Sequence, residues 1–179
     1  MTLLIVSGSA RRGSLNTRLA RLLAAAVPHG EVRVEHDLRR LPFYDGDLEA
    51  AGVPAAVEDL RAAVAAADAV VIVTPEYNGT VPGLLGNTVD WLSRPAGRSV
   101  LRDKPVVVCS ASPTRFGGVR AAEHLRAALV RVGARVAAGP AVAAVHERLE
   151  ADALVDELGR QLAAALQEVL GDQSAAVPA

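Results

Sequence analysis

Three loops rich in glycine, serine and proline follow apolar runs of the chain, and each carries groups that could bind a ligand. The first loop, Gly8–Asn16 (GSARRGSLN), leads directly into a helix candidate. Free N–H groups and the positive dipole end of a helix start favour an anion. Ser9 and Ser14 add short donors and Arg11 adds a fixed charge, so the loop predicts a site for a terminal phosphate. The alternative is structural, with Ser14 as a helix cap and Arg11 in solvent.

The spacing in this first loop excludes two common nucleotide motifs. No G-K-[ST] sequence ends the loop, as a Walker P-loop requires, and the glycines do not follow G-x-G-x-x-G. The pattern therefore disfavours a nucleoside triphosphate or a dinucleotide pyrophosphate at this loop.

The second loop, Pro75–Gly83 (PEYNGTVPG), has the composition of a stiff turn. Backbone N–H groups of such a turn can point outward and hydrogen-bond a planar heterocycle. Glu76 and Tyr77 are expected at its tip. The alternative is an ordinary turn between a strand and a helix. The residues that favour the turn are Pro75, Asn78, Gly79 and Pro82.

The third loop, Ser110–Gly118 (SASPTRFGG), combines small hydroxyl side chains with paired glycines. This composition allows the close approach of a flat ligand, and Arg115 offers a cation at the rim; an ordinary turn is again the alternative. Aromatic residues cluster after the second, third and fourth strand candidates, which suggests ring-bearing walls around such a ligand. They are Phe43, Tyr44, Tyr77 and Phe116, whereas Trp91 lies in a helix candidate.

Composition limits the class of protein. The 179 residues, 51% of them hydrophobic, fit one globular domain with a packed core. With 19 Lys+Arg and 20 Asp+Glu the formal net charge is −1, so no overall field attracts nucleic acid. No apolar run reaches the roughly 18 residues that a membrane span requires. We therefore expect a small-molecule partner rather than nucleic acid or a membrane.

The cysteine and histidine content predicts neither disulfides nor a metal site. Cys109 is the only cysteine, which excludes a disulfide framework and indicates a reducing, cytoplasmic location. Because it ends an apolar strand candidate, it is expected as a small core residue rather than a nucleophile. The histidines show no H-x-x-x-H or H-E-x-x-H spacing, and they are His29, His36, His124 and His146.

Short apolar runs alternate with longer amphipathic ones, which is typical of a parallel sheet with helices between its strands. The predicted strands are Leu3–Ser7, Glu31–Asp37, Ala69–Thr74, Pro105–Ser110 and Arg135–Gly139, with an extension of the last to Val145 left open. The predicted helices are Leu15–Val27, Pro54–Ala66, Val81–Ser93 after an N-cap at Thr80, Gly118–Val132 and Glu150–Leu170. Strands one, three and four are nearly all apolar and should be central, whereas EVRVEHD alternates and should lie at an edge.

These elements predict an α/β fold of the flavodoxin-like, doubly wound type, with five parallel strands in the order 2-1-3-4-5 and helices on both faces. A Rossmann half-domain is the alternative. In such a sheet, ligands bind beyond the carboxyl ends of the strands at the switch point, here between strands one and three. The three loops should therefore converge there. The domain is expected to span residues 1–171, with a flexible tail over residues 172–179.

The spaced combination of loop motifs resembles the NAD(P)H-dependent FMN reductase family, which includes quinone, azo-dye and chromate reductases. The pattern G-S-x-R-x-x-S-x-N occurs over Gly8–Asn16, and T-P-E-Y-N-[GS]-x-x-P-G over Thr74–Gly83. The pattern N-x-x-D-W occurs over Asn87–Trp91, and Leu41–Glu49 (LPFYDGDLE) resembles the family's segment after the second strand. The resemblance extends to about Leu170.

The resemblance implies bound FMN, with NADPH or NADH as co-substrate. The residues that it implies for FMN and its phosphate are Ser9, Arg11, Ser14, Leu15 and Asn16. The isoalloxazine would lie against a second set, largely through backbone groups, and this set is Pro75, Glu76, Tyr77, Asn78 and Gly79. Ser110 and Ser112 would close the other side.

The implied reaction passes hydride from the nicotinamide to FMN and then to a quinone, free flavin or similar acceptor by a ping-pong sequence. No catalytic side chain is required. The resemblance also implies a homodimer or homotetramer, with Asn87, Asp90 and Trp91 near the interface. The alternative is a non-enzymatic FMN-binding electron carrier or redox sensor that acts through protein partners.

Two residues depart from the family pattern and leave the acceptor and the assembly open. Gly86 stands where the family often has Lys, and Thr114 stands where it often has Gly. For the choice between NADPH and NADH, Arg94 or Arg115 could meet a 2′-phosphate.

Overall fold

The computed structural model describes residues 1–27, 30–35, 37–144 and 152–171. Five parallel strands form a sheet in the order β2-β1-β3-β4-β5, which confirms the predicted topology. The strands are β1 (Thr2–Ser7), β2 (Glu31–Glu35), β3 (Ala69–Thr74), β4 (Pro105–Ala111) and β5 (Arg135–Val142). The helices are α1 (Leu15–Ala25), α2 (Gly46–Ala51), α3 (Ala55–Ala66), α4 (Gly83–Leu92), α5 (Val119–Arg131) and α6 (Asp152–Gly171), with a 3₁₀ turn at Leu38–Arg40.

Alternate residues of the central strands supply two separate hydrophobic cores. Leu3 and Ile5 of β1 face a core shared with α1 and α6. Leu4 and Val6 face the opposite core, which is shared with α3, α4 and α5. Because both faces of the sheet are covered, the prediction of helices on both faces is confirmed.

The predicted positions of the strands within the sheet are also confirmed. Every residue of β3 and β4 is buried, as their continuous apolar sequences require. At the edge, β2 exposes Glu31 and Arg33 and half-buries Val32 and Val34, so one of its faces meets solvent.

The prediction for the start of α4 is wrong. Thr80 is not an N-cap, because its backbone N–H donates to the Tyr77 carbonyl (3.0 Å) and its carbonyl accepts from the Tyr77 N–H (3.3 Å). This pairing closes a turn before the helix. Pro82, with φ −58°, takes the N-cap position, and the helix begins at Gly83.

The remaining boundaries differ by only a few residues where the structure describes them. β5 continues beyond Gly139 to Val142 and is followed by a turn at Ala143 and Ala144, so the suggested extension is confirmed only in part. Its last residue, Val145, lies outside the described residues. The same holds for Glu150 at the start of the last predicted helix, for the tail over residues 172–179, and for three of the four histidines. The short helix α2 is not predicted from the sequence; Asp45 caps it by accepting the Asp47 N–H at 2.8 Å.

The residues of the N-x-x-D-W pattern hold the segment before α2 against α4. Asn87 accepts the Tyr44 N–H (2.7 Å) and donates to the Pro42 carbonyl (2.9 Å), to which the indole N–H of Trp91 also donates (2.8 Å). Trp91 is fully buried. Asn87 and Trp91 are thus occupied within the chain, and only Asp90 of the three is exposed.

Candidate functional site

The loops after β1, β3 and β4 meet at the carboxyl edge of the sheet and line a pocket of about 300 Å³. This is the position that the strand order predicts for a ligand. Nine of the predicted cofactor-binding residues line it: Ser9, Arg11, Ser14, Leu15, Asn16, Pro75, Glu76, Tyr77 and Ser112. Three further lining residues were not in the predicted set: Ala111, Pro113 and Thr114.

The first loop packs closely against α4 because Gly8 has no side chain. Its N–H donates to the Val73 carbonyl at 2.9 Å, so the loop is still joined to β3 where it begins. A Cβ on Gly8 would lie 2.3 Å from Leu85 Cδ1 in α4. The backbone can approach α4 this closely only at a glycine.

The start of α1 is capped and also open to an anion. Ser14 accepts the Thr17 N–H at 3.2 Å, so the structural alternative considered for Ser14 is observed. The other N–H groups of the first turn have no partner within a helix. Arg11 is exposed at the pocket and donates to the Gly13 carbonyl at 3.2 Å. Capping and phosphate binding are therefore compatible here, because they use different donors.

The side-chain amide of Asn16 is already hydrogen-bonded to the backbone of another element. Its Nδ2 donates to the Ala111 carbonyl and its Oδ1 accepts the Ala111 N–H, both at 3.2 Å. The buried amide thus joins the start of α1 to the end of β4. It fixes the spacing between the first and third loops and lines the pocket at the same time.

The second loop forms a tight turn whose central residues both have positive φ. Asn78 has φ 54° and Gly79 has φ 71°, and Tyr77 and Thr80 pair across them. This is the type I′ geometry that an Asn-Gly sequence favours. The turn lifts Asn78 and Gly79 out of the pocket lining and leaves Pro75, Glu76 and Tyr77 at the pocket.

Glu76 links this turn to α5. Its carboxylate accepts the Ala121 N–H at 3.2 Å, in the first turn of a helix whose own N-cap, Gly118, has no side chain to offer. A carboxylate is favourable at a helix start because it pairs with free donors and with the helix dipole. Thr80 Oγ1 also lies 3.2 Å from His124 Nδ1 of α5. No local sequence pattern indicates either contact, because each joins two segments that are far apart in the sequence.

The third loop contributes Ser112 but not Ser110. Ser112 Oγ lies 3.0 Å from Thr114 Oγ1 and accepts the Thr114 N–H at 3.2 Å, which gives a compact hydroxyl pair at the pocket. Ser110 is fully buried and lies on the face of β4 opposite to that of Ala111, which lines the pocket, because successive strand residues alternate. Its Oγ has no hydrogen-bond partner in the described part of the chain, and it lies beneath Gly118.

The aromatic residues divide into three environments. Of the four that follow the strands, only Tyr77 lines the pocket, and it is 53% exposed. Phe43 and Phe116 are exposed at 85% and 58%. Tyr44 packs edge-on against Trp91, with ring centroids 5.0 Å apart. The expected aromatic wall is thus a single ring.

The donor set of the pocket fits a phosphorylated planar ligand. The first loop and the start of α1 offer helix N–H groups, a serine hydroxyl and the Arg11 guanidinium, which suit a phosphate dianion. The second and third loops add a rigid turn and the Ser112–Thr114 pair, which suit a planar ring. FMN combines a phosphate with a flat ring system.

Comparison with known proteins gives the same assignment. The model of the NADPH-dependent FMN reductase family matches residues 1–148. The chain belongs to this family. It is therefore an FMN-dependent NAD(P)H oxidoreductase, and the expectations of FMN, a nicotinamide co-substrate and an enzyme are confirmed. The alternative of a non-enzymatic carrier or sensor is not supported.

Individual FMN reductase relatives agree with the family assignment. An NAD(P)H-dependent FMN reductase of Pseudomonas aeruginosa is 42% identical over 125 residues, which cover 70% of this chain and 67% of the relative. A quinone reductase of Escherichia coli is 44% identical over 131 residues, which cover 72% of this chain and 69% of the relative. Among solved structures, the flavoenzyme NAD(P)H:(acceptor) oxidoreductase FerB of Paracoccus denitrificans superposes with a TM-score of 0.81. The two sequences are 29% identical, and the superposition covers 94% of this chain and 96% of FerB.

The environment of Cys109 agrees with the expectation from the sequence. Cys109 is fully buried in the core between β4 and α6, and burial raises the pKa of its thiol, so its expected role as a core residue is confirmed. No group of three or more metal-ligating side chains occurs among the residues that the structure describes. Within those residues, no helix is long and apolar enough to cross a membrane.

Proposed function

We propose that this FMN reductase passes hydride from NADPH or NADH to FMN, and from there to a quinone, free flavin or similar small acceptor. The observation that carries the proposal is one pocket that is lined by both the start of α1 and the rigid turn after β3. The similarity to a named quinone reductase supports the class of acceptor. FMN, when bound, supplies the ring that accepts and donates hydride.

The chain's own residues would bind the phosphate at the start of α1. Arg11 would supply a fixed positive charge, and the N–H groups of the first helical turn would supply donors. Ser9 and Ser14 add hydroxyl groups at the pocket wall. These groups anchor the ligand at one end without contacting the reacting atoms.

At the ring end, the chain would act by orientation rather than by proton transfer. The turn at Pro75–Tyr77 and the Ser112–Thr114 pair both line the pocket. Asn16 fixes the first and third loops relative to each other, and Glu76 fixes the second loop on α5. Hydride transfer requires no acid or base from the protein, so we assign no catalytic side chain.

The proposal includes a ping-pong sequence, in which the nicotinamide and the acceptor react in turn at the same exposed face of the FMN ring. The two substrates would then bind alternately. Steady-state rates at several concentrations of both substrates test this directly. We expect parallel lines in double-reciprocal plots, and intersecting lines would contradict a shared binding face.

A spectrum and a turnover assay test the function itself. Protein incubated with FMN and then desalted should keep a flavin absorbance, and NADPH or NADH should bleach it within seconds in the absence of air. Addition of a benzoquinone should restore the absorbance. Arg98→Ala, a charge change in the exposed segment between α4 and β4, is the matched control for the variants below. A protein that holds no flavin after this treatment would contradict the proposal.

Two further features belong to the same proposal. A homodimer or homotetramer is supported by exposed rings beside the pocket, at Tyr77 and Phe116, and light scattering tests it. A cytoplasmic location is supported by the buried, unpaired Cys109.

We also propose that the domain spans residues 1–171 and is followed by a tail over residues 172–179. Truncation after Gly171 should therefore leave FMN binding unchanged.

A further inference from the structure

A second pocket, of about 210 Å³, adjoins the proposed FMN pocket and is rich in arginine. It shares Ser9 and Arg11 with the FMN pocket. Three separate elements contribute to it: the first loop, α1 and the 3₁₀ turn after β2. Its lining residues are Ser9, Ala10, Arg11, Arg12, Thr17, Arg21 and Arg39. We call it the arginine pocket.

The charge of the arginine pocket is not balanced locally. Four guanidinium groups line it, and no Asp or Glu among the described residues does. Asp37, outside the lining, pairs with Arg39 at 2.9 Å. In the described part of the chain, Arg12 and Arg21 form no ion pair. Because the whole chain has a formal net charge of −1, this concentration of positive charge is a local feature.

Such a pocket is suited to a second phosphate group. The planar guanidinium presents several donors that match phosphate oxygens, and several cations together offset the charge of a dianion. Ser9 adds a hydroxyl group to the lining, whereas the buried Thr17 hydroxyl is already hydrogen-bonded to Ser7 Oγ at 2.8 Å. A ligand here would lie next to the phosphate end of FMN rather than next to its ring.

We propose that the arginine pocket binds the 2′-phosphate of NADPH, and that Arg12 and Arg21 set a preference for NADPH over NADH. This inference rests on the proposed function, in which a nicotinamide dinucleotide lies over the FMN pocket. The dinucleotide carries its 2′-phosphate at the end remote from the nicotinamide, so that group reaches beyond the FMN pocket. Free inorganic phosphate is the other source of the same chemistry.

Arg94 and Arg115, the two arginines that the sequence suggests for the 2′-phosphate, contact aromatic rings instead. The Arg94 guanidinium lies 5.1 Å from the centroid of the Tyr44 ring, and the Arg115 guanidinium lies 4.8 Å from that of Phe116. Neither residue lines the arginine pocket. Both contacts hold the cation over an aromatic face, where part of its charge is already used.

Binding of nucleotide fragments to the FMN-loaded protein tests the inference without turnover. Adenosine 2′,5′-bisphosphate and 5′-AMP differ only by the 2′-phosphate, and calorimetry measures both. We expect the bisphosphate to bind more tightly and to lose roughly tenfold in affinity in Arg21→Ala, since hydrogen bonds to charged groups are of that strength. Binding of 5′-AMP should not change, and Arg98→Ala should behave as the parent protein.

Kinetics give a second, independent readout. In Arg12→Ala and Arg21→Ala the KM for NADPH should rise, while the KM for NADH and both kcat values stay the same. If phosphate ions bind in an Arg21-dependent way and the two nucleotides bind equally, the pocket is a site for free phosphate and the NADPH assignment is overturned. Equal binding of both nucleotides with no effect of Arg21→Ala also overturns it. Failure of the proposed function would differ, because flavin would then not be reduced by either nicotinamide.

Discussion

Replacing Gly8 with alanine should disturb the packing of the first loop on α4. The added Cβ would lie 2.3 Å from Leu85 Cδ1 and 2.6 Å from its Cγ. Carbon atoms in contact are normally about 3.5–4.0 Å apart, so the two segments would have to separate by roughly 1 Å or more. Leu85 is fully buried and cannot turn into solvent. The strain must therefore displace α4, the loop, or both.

Overpacking of this kind typically costs about 1–3 kcal/mol of the free energy of unfolding. Gly8 begins the loop that carries the proposed phosphate ligands, so part of the displacement falls on the FMN pocket. If about half of a ~2 kcal/mol strain appears there, the affinity for FMN should fall roughly fivefold. Urea unfolding of the protein without FMN measures the first effect, and quenching of FMN fluorescence measures the second.

Two further variants separate this contact from a general effect of alanine in the loop. Gly13 lies in the same loop, and a Cβ there would have no atom within 4 Å, so Gly13→Ala should change the stability by less than about 0.5 kcal/mol. Leu85→Ala should be costly alone, by about 2–5 kcal/mol, yet less costly when combined with Gly8→Ala. Equal effects of the two glycine substitutions, or strict additivity with Leu85→Ala, would refute the reasoning.

Three other substitutions test separate parts of the site. Arg11→Ala should weaken FMN by about tenfold and riboflavin hardly at all, because only FMN carries the phosphate; equal losses in a fluorescence titration would place Arg11 away from it. Glu76→Ala should lower the free energy of unfolding by about 1 kcal/mol through loss of the α5 cap, with Glu76→Gln intermediate, as measured in urea. Cys109 should react with a thiol reagent only in the unfolded chain. Since burial raises the pKa of its thiol above the ordinary 9.0, stability should fall as the pH rises through that value, and Cys109→Ala should reduce this fall.

The sheet and the place of the site could be predicted from the sequence because their signals are local. Continuous apolar runs mark β1, β3 and β4 as strands buried on both faces, and the alternation in EVRVEHD marks β2 as an edge. Once the strand order is known, the loops after β1, β3 and β4 must meet at one edge of the sheet.

The roles of individual side chains within the loops could not be predicted in the same way. Asn16 and Ala111 are 95 positions apart in sequence, and Glu76 and Ala121 are 45 apart, so no local pattern indicates either contact. Ser110 shows a different difficulty. Its sequence position gives the alternation of the strand but not which face of β4 the pocket occupies.

These contacts divide the site into a fixed part and an adaptable part. Asn16 and Glu76 form hydrogen bonds with the backbone of other elements, so a change at either would alter the positions of whole loops. Tyr77, by contrast, is 53% exposed at the pocket. Substitution of Tyr77 can therefore change which small molecule is accepted without disturbing the fold, whereas the hydrogen bonds of Asn16 and Glu76 keep the loops, and thus the bound ligand, in one orientation.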